Sequence, residues 1–63
     1  MKTHYDAVAD AFYVRFADAP IEDSEEIAPG VIFDFDADHR LVAIELLDAR
    51  AKLASGALPA AAE

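Results

Sequence analysis

Cysteine is absent from the 63-residue chain, so neither a disulfide nor a thiolate-held zinc can support its fold. Tryptophan is absent as well, and the two glycines, Gly30 and Gly56, stand too far apart to build a phosphate-cradling loop. Basic residues are scarce: five Lys and Arg face thirteen Asp and Glu, for a formal net charge of −8. Such a surface repels phosphate backbones and anionic lipid, which excludes nucleic-acid and membrane-surface roles and permits a small basic protein as partner. No stretch approaches the ~20 apolar residues of a membrane span. The start, Met1-Lys2-Thr3-His4-Tyr5-Asp6, has no apolar run behind its lysine, so the expected location is cytoplasmic.

What the chain does have is apolar content, 56% of residues. A domain this small buries a modest share of its surface and is marginal on its own. With no disulfide or zinc to staple it, self-association is expected, and a homodimer is its simplest form.

Alternation places the strands. Phe12, Val14 and Phe16 fall on one face of residues 11–16, with Ala11, Tyr13 and Arg15 on the other, the mark of a strand with one face on a core. Val31, Phe33 and Phe35 share a face, as do Val42, Ile44 and Leu46. Asp36-Ala37-Asp38-His39-Arg40 forms a hairpin loop between these two strands. Lys2 to Tyr5 reads as a short edge strand and Asp6 to Asp10 as a turn, with a helical turn as the alternative there. Ile21 to Ile27, thin in apolar residues and rich in acids, is an exposed edge strand or an extended loop. Pro29-Gly30 is a type II turn signal. Asp48 is placed to cap a helix over Ala49 to Ser55, with Gly56 as its C-cap.

The expected architecture is therefore α+β: a small antiparallel β-meander sheet with a short C-terminal helix. One domain spans residues 1–56, and a flexible tail spans residues 57–63. The last strand is apolar on both sides, and one short helix covers only one of them. The other side nominates Tyr13, Arg15, Ile32, Leu41, Ala43 and Leu47 as a dimer interface.

Catalytic constellations are harder to find. Asp34, Asp36 and Asp38, followed by Leu41 and Glu45, copy the oxygen-ligand spacing of an EF-hand calcium loop. Two features oppose that reading. His39 occupies the glycine position, and the flanks alternate as strands, which sets Glu45 ~13 Å along a strand from the loop. An acidic hairpin tip is the simpler account. His4 and His39 lack a second ligand at metal spacing, Ser24 lacks a glycine elbow and a base, and Asp6 and Asp10 are accounted for as turn caps. No catalytic, cofactor or metal site is expected, and the chain is not read as an enzyme.

Four blocks in order resemble the domain of unknown function 2283 family. They are Tyr5-Asp6; Ala9-Asp10-Ala11-Phe12-Tyr13-Val14-Arg15-Phe16; Ser24-Glu25-Glu26-Ile27-Ala28-Pro29-Gly30-Val31-Ile32-Phe33-Asp34-Phe35-Asp36; and Leu41-Val42-Ala43-Ile44-Glu45-Leu46-Leu47-Asp48-Ala49. The resemblance covers Tyr5 to about Leu53. It departs from the family at the hairpin tip, where Asp38-His39 stands in place of an Asp-Gly pair. The resemblance implies a small, mostly sheet-forming prokaryotic domain with no settled activity and no catalytic residues to carry over. It also implies an association with two-gene operons of the toxin–antitoxin kind. Two readings follow: a non-enzymatic protein-interaction module that homodimerises through an apolar sheet face, or an antitoxin-like partner that neutralises a small basic protein.

Overall fold

A computed structural model of the chain describes residues 1–58. Five strands, β1 (Lys2–Asp6), β2 (Ala11–Arg15), β3 (Asp23–Ala28), β4 (Val31–Phe35) and β5 (Leu41–Leu47), are followed by one helical turn, α1 (Ala49–Lys52). All neighbours pair antiparallel, in the order β1-β2-β5-β4-β3. The strands at 11–15, 31–35 and 41–47 are those the alternation predicts. The acidic stretch is a strand too, at the outer edge of the sheet with all six residues exposed.

The expected uninterrupted meander is split in two. β1 and β2 form a hairpin, and β3, β4 and β5 form a meander. Residues 16–22 carry the chain from β2 past β5 and β4 to the far edge. This is the spatial order of a Greek key. Two groups hold the crossover at its start. The Phe16 amide continues the ladder by donating to the Val42 carbonyl at 2.8 Å. The Arg15 guanidinium donates to the carbonyls of Ala17 and Ala19 at 2.9 and 2.6 Å. At its far end the Glu22 amide donates to Phe35 O.

The helix is shorter than expected and is capped from elsewhere. Asp48 has a left-handed backbone, φ 53°, and makes no side-chain cap bond. The free amides of α1 are taken instead by Asp10, forty residues back: the Arg50 amide donates to Oδ1 at 3.2 Å and the Ala49 amide to the Asp10 carbonyl at 3.0 Å. The helix ends at Lys52, so Gly56, although at φ 86°, lies beyond it in a separate turn. α1 is thus anchored at one end of the sheet, against the β1–β2 turn. It lies across neither face. The α of the expected α+β description rests on these four residues; the molecule is a β-sheet. Of the expected tail, Ala57 donates back to Ala54 O, and residues 59–63 lie outside the described residues.

Candidate functional site

Because paired residues in a ladder share a face, the register sorts every strand residue to one side or the other. One face carries the row Thr3–Val14–Ile44–Phe33–Glu25 and, beside it, the row Tyr5–Phe12–Leu46–Val31–Ala28. Phe16 and Val42 extend this face at one end, next to Phe35, whose ring centroid lies 6.3 Å from that of Phe33. The opposite face carries Lys2–Arg15–Ala43–Asp34–Ser24 and His4–Tyr13–Glu45–Ile32–Glu26. The first face is apolar except at its β3 edge. The second is polar.

The two faces differ in how they are closed. On the polar face the chain covers itself. Ala43 is fully buried and Asp34 is 1% exposed, because long neighbours surround them. The Arg15 guanidinium lies over this side, donating to the Tyr13 hydroxyl at 3.1 Å as well as to the crossover. On the apolar face Val42 is closed off in the same way at one end, and the rest of the face is not. Tyr5, Phe12, Val14, Val31, Phe33, Phe35, Ile44 and Leu46 are all only half-buried, and Phe16 is 44% exposed. Among the described residues the fully buried hydrophobics are Val42, Ala43 and Ala49, none of them large. Not one of the four phenylalanines and two tyrosines is buried. The side expected to be the core is a core with its second half missing.

Of the six interface residues nominated from the sequence, Tyr13, Arg15, Ile32, Ala43 and Leu47 do share a face, the polar one. Leu41 leaves them. A register shift between Asp34 and Phe35 skips Val42 and sets Leu41 opposite Phe35, on the phenylalanine side. Period-2 counting assumes an unbroken ladder, and a bulge at the strand's first residues defeats it.

The polar face also brings together a cluster that spacing alone did not reveal. The Ser24 hydroxyl donates to Asp34 Oδ1 at 2.6 Å, and Asp34 Oδ2 is buried without a partner among the described residues. Glu45, diagonal to Asp34 across β4 and β5, has its pKa raised, first by desolvation and then by hydrogen bonding and charge from Asp34. In its neutral form the Glu45 carboxyl carries a proton that Asp34 Oδ2 could accept. Ser24, ten residues before Asp34, is brought to it by the β3–β4 register, which only the hairpin geometry determines.

At the hairpin tip, Asp36 organises its own loop. Its Oδ1 accepts from the amides of Asp38 and Arg40 at 2.9 and 2.8 Å, and these bonds, Arg40 first, hold its pKa below the usual range. His39 takes φ 60° and stacks on Phe35 at 4.3 Å between ring centroids. Glu45 lies on β5, beside Asp34 and away from this loop, so the calcium-loop spacing is a coincidence of strand and turn. Asp6 and Asp10 also divide their work. Asp6 caps the local turn, accepting from the Val8 amide at 3.0 Å, while Asp10 takes the Tyr5 hydroxyl at 2.6 Å and the helix amides. The bond to Asp10 raises the Tyr5 pKa. Among the described residues no cluster of three or more His, Cys, Asp or Glu is arranged to hold a metal, and no helix is long and apolar enough to cross a membrane.

The family model described as protein of unknown function (DUF2283) matches residues 2–50, from the first strand to the first turn of α1. The chain belongs to this family. No curated protein and no solved structure matches it.

Proposed function

For this member of the DUF2283 family, we propose a non-enzymatic protein-interaction module that homodimerises by stacking its phenylalanine-bearing sheet face on that of a second copy. One observation carries the reading: half-buried Phe, Val, Ile and Leu side chains span the three central strands, β2, β5 and β4, and no element of the described residues lies across them. Three strand widths of about 4.8 Å and five residues of about 3.3 Å make a planar area of roughly 240 Å², before side-chain relief is counted. Apolar patches of a few hundred Å² on a monomer are often functional. Two such faces stacked at about 10 Å make a sandwich with an interior, which a single layer lacks. This reading moves the interface from the Tyr13 and Arg15 side to the opposite one, because Arg15 and Tyr13 are already engaged with the chain's own backbone and with each other.

The non-enzymatic part rests on the polar face. The Ser24 hydroxyl is engaged as a hydrogen-bond donor to the buried Asp34 side chain, and both His4 and His39 lie on other elements, at the far edge and at the hairpin tip. Among the described residues no base is set against a nucleophile.

The test uses one substitution on each face. Ile44→Asp, at the middle of the apolar face, is expected to abolish the dimer, read as a halved mass by light scattering or as loss of the folded circular-dichroism spectrum. Tyr13→Ser, on the polar face, is expected to leave the mass unchanged. A folded Ile44→Asp dimer, or a dimer lost on Tyr13→Ser, would overturn the choice of face.

A second reading has its own observation. β3 presents Asp23, Glu25 and Glu26 on an exposed edge strand, a surface suited to a small basic protein, as an antitoxin-like partner requires. Binding of that kind weakens steeply with salt.

A further inference from the structure

Resting on the dimer reading, we infer how the two copies are oriented: the two-fold axis runs along the strands, so that each acidic β3 edge lies over the β1 edge of the partner. The charges on the apolar face are confined to one side. Glu25 pairs with Phe33 and Asp23 with Phe35, so both carboxylates sit on this face at the β3 edge. The β1 edge of the same face carries Thr3 and Tyr5, which are uncharged, while Lys2 and His4 lie on the other side.

A two-fold between stacked, aligned sheets runs either along the strands or across them. β5 is the middle strand, so it lies over its own copy in both cases. An axis across the strands puts β3 over β3, and four carboxylates then meet at one rim of a low-dielectric interface between two chains of net charge −8. An axis along the strands puts β3 over β1 and keeps those carboxylates apart.

The second arrangement also keeps each cross-strand row over itself in reverse. The row Thr3–Val14–Ile44–Phe33–Glu25 meets Glu25–Phe33–Ile44–Val14–Thr3. Ile44 faces its own copy, the branched Val14 faces a phenylalanine ring, and the Glu25 carboxylate faces the Thr3 hydroxyl, which can donate to it. Large side chains meet smaller ones and no charge meets its like, the two conditions that a self-complementary interface must satisfy.

The absence of cysteine makes the test direct. Thr3→Cys and Glu25→Cys chains are prepared separately and treated with a bismaleimide whose span is matched to the ~10 Å sheet spacing. Each is treated alone and after mixing under conditions that exchange protomers. In this arrangement the two cysteines of a dimer made from either variant alone stand at opposite edges, ~19 Å apart across four gaps, beyond the reach of the linker. The arrangement predicts a covalent dimer in the mixture, several-fold above either variant alone. Self-linking of Glu25→Cys in excess of the mixture would overturn it in favour of the axis across the strands. Cross-linking in none of the three, with the mass still dimeric, would overturn it as well. A monomeric mass for the untreated chain would instead remove the dimer reading itself, so the two failures are distinct.

Discussion

At the scale of single residues, the least comfortable group is the Asp34 carboxylate. It is 1% exposed, one oxygen accepts from Ser24, and the other has no hydrogen-bond partner among the described residues. Burial and the neighbouring carboxylate raise the Glu45 pKa above its ordinary value of 4.5. A carboxyl that holds its proton more tightly in the folded chain stabilises the fold fully below its unfolded pKa. That contribution is lost as pH rises through the higher folded value. The stability of the chain relative to a Glu45→Gln variant is therefore expected to fall as pH rises above the ordinary value of 4.5, as read by urea midpoints. A difference independent of pH would show that Glu45 and Asp34 do not share the proton. The spacing of Asp34 and Glu45 in the sequence suggested a calcium loop. Their meeting is a property of the β4–β5 register, in which residues eleven apart become diagonal neighbours.

At the scale of elements, the helix is the part whose origin the sequence hid. Asp48 precedes good helix formers and looks like a cap, but its backbone turns left-handed and its carboxylate makes no cap bond. Asp10 does that work while also accepting from Tyr5, so one carboxylate ties β1, the β1–β2 turn and α1 together. Asp10→Ala is expected to cost about 2 kcal/mol, the sum of a lost cap and a lost charge-assisted hydrogen bond, with the residue's φ of 52° adding to the penalty. Asp48→Ala, with no cap bond to lose, is expected to cost less, and a urea titration of both variants decides between the two caps. The strands, in contrast, were legible. Alternation of Phe, Val, Ile and Leu names β2, β4 and β5 and assigns their faces, since burial on one side imposes period 2. Leu41 escaped this because a bulge breaks the period, and the crossover escaped it because strand order depends on which edges meet, a long-range choice that local pattern does not encode.

At the scale of the whole molecule, the chain is one sheet with one finished side. The polar face is closed by Arg15, Tyr13 and the crossover. The apolar face carries most of the aromatic surface, and no element of the described residues lies across it. The sequence nominated the side of Tyr13 and Arg15 for a partner, on the expectation that the C-terminal helix covers the phenylalanines. A helix of four residues anchored on Asp10 cannot do so, and the proposed dimer places the partner on the opposite side. Charge shapes the outcome further. Two copies at −8 repel, so salt is expected to tighten the dimer, whereas it would loosen the grip of an acidic edge on a basic partner.

The measurement that bears most directly on this account is the mass of the unaltered chain by sedimentation equilibrium, from low to high micromolar concentration and at two salt concentrations. The account predicts twice the 6.8 kDa chain mass, held to lower concentration as salt rises. A mass of one chain throughout, with the folded spectrum intact, would contradict it.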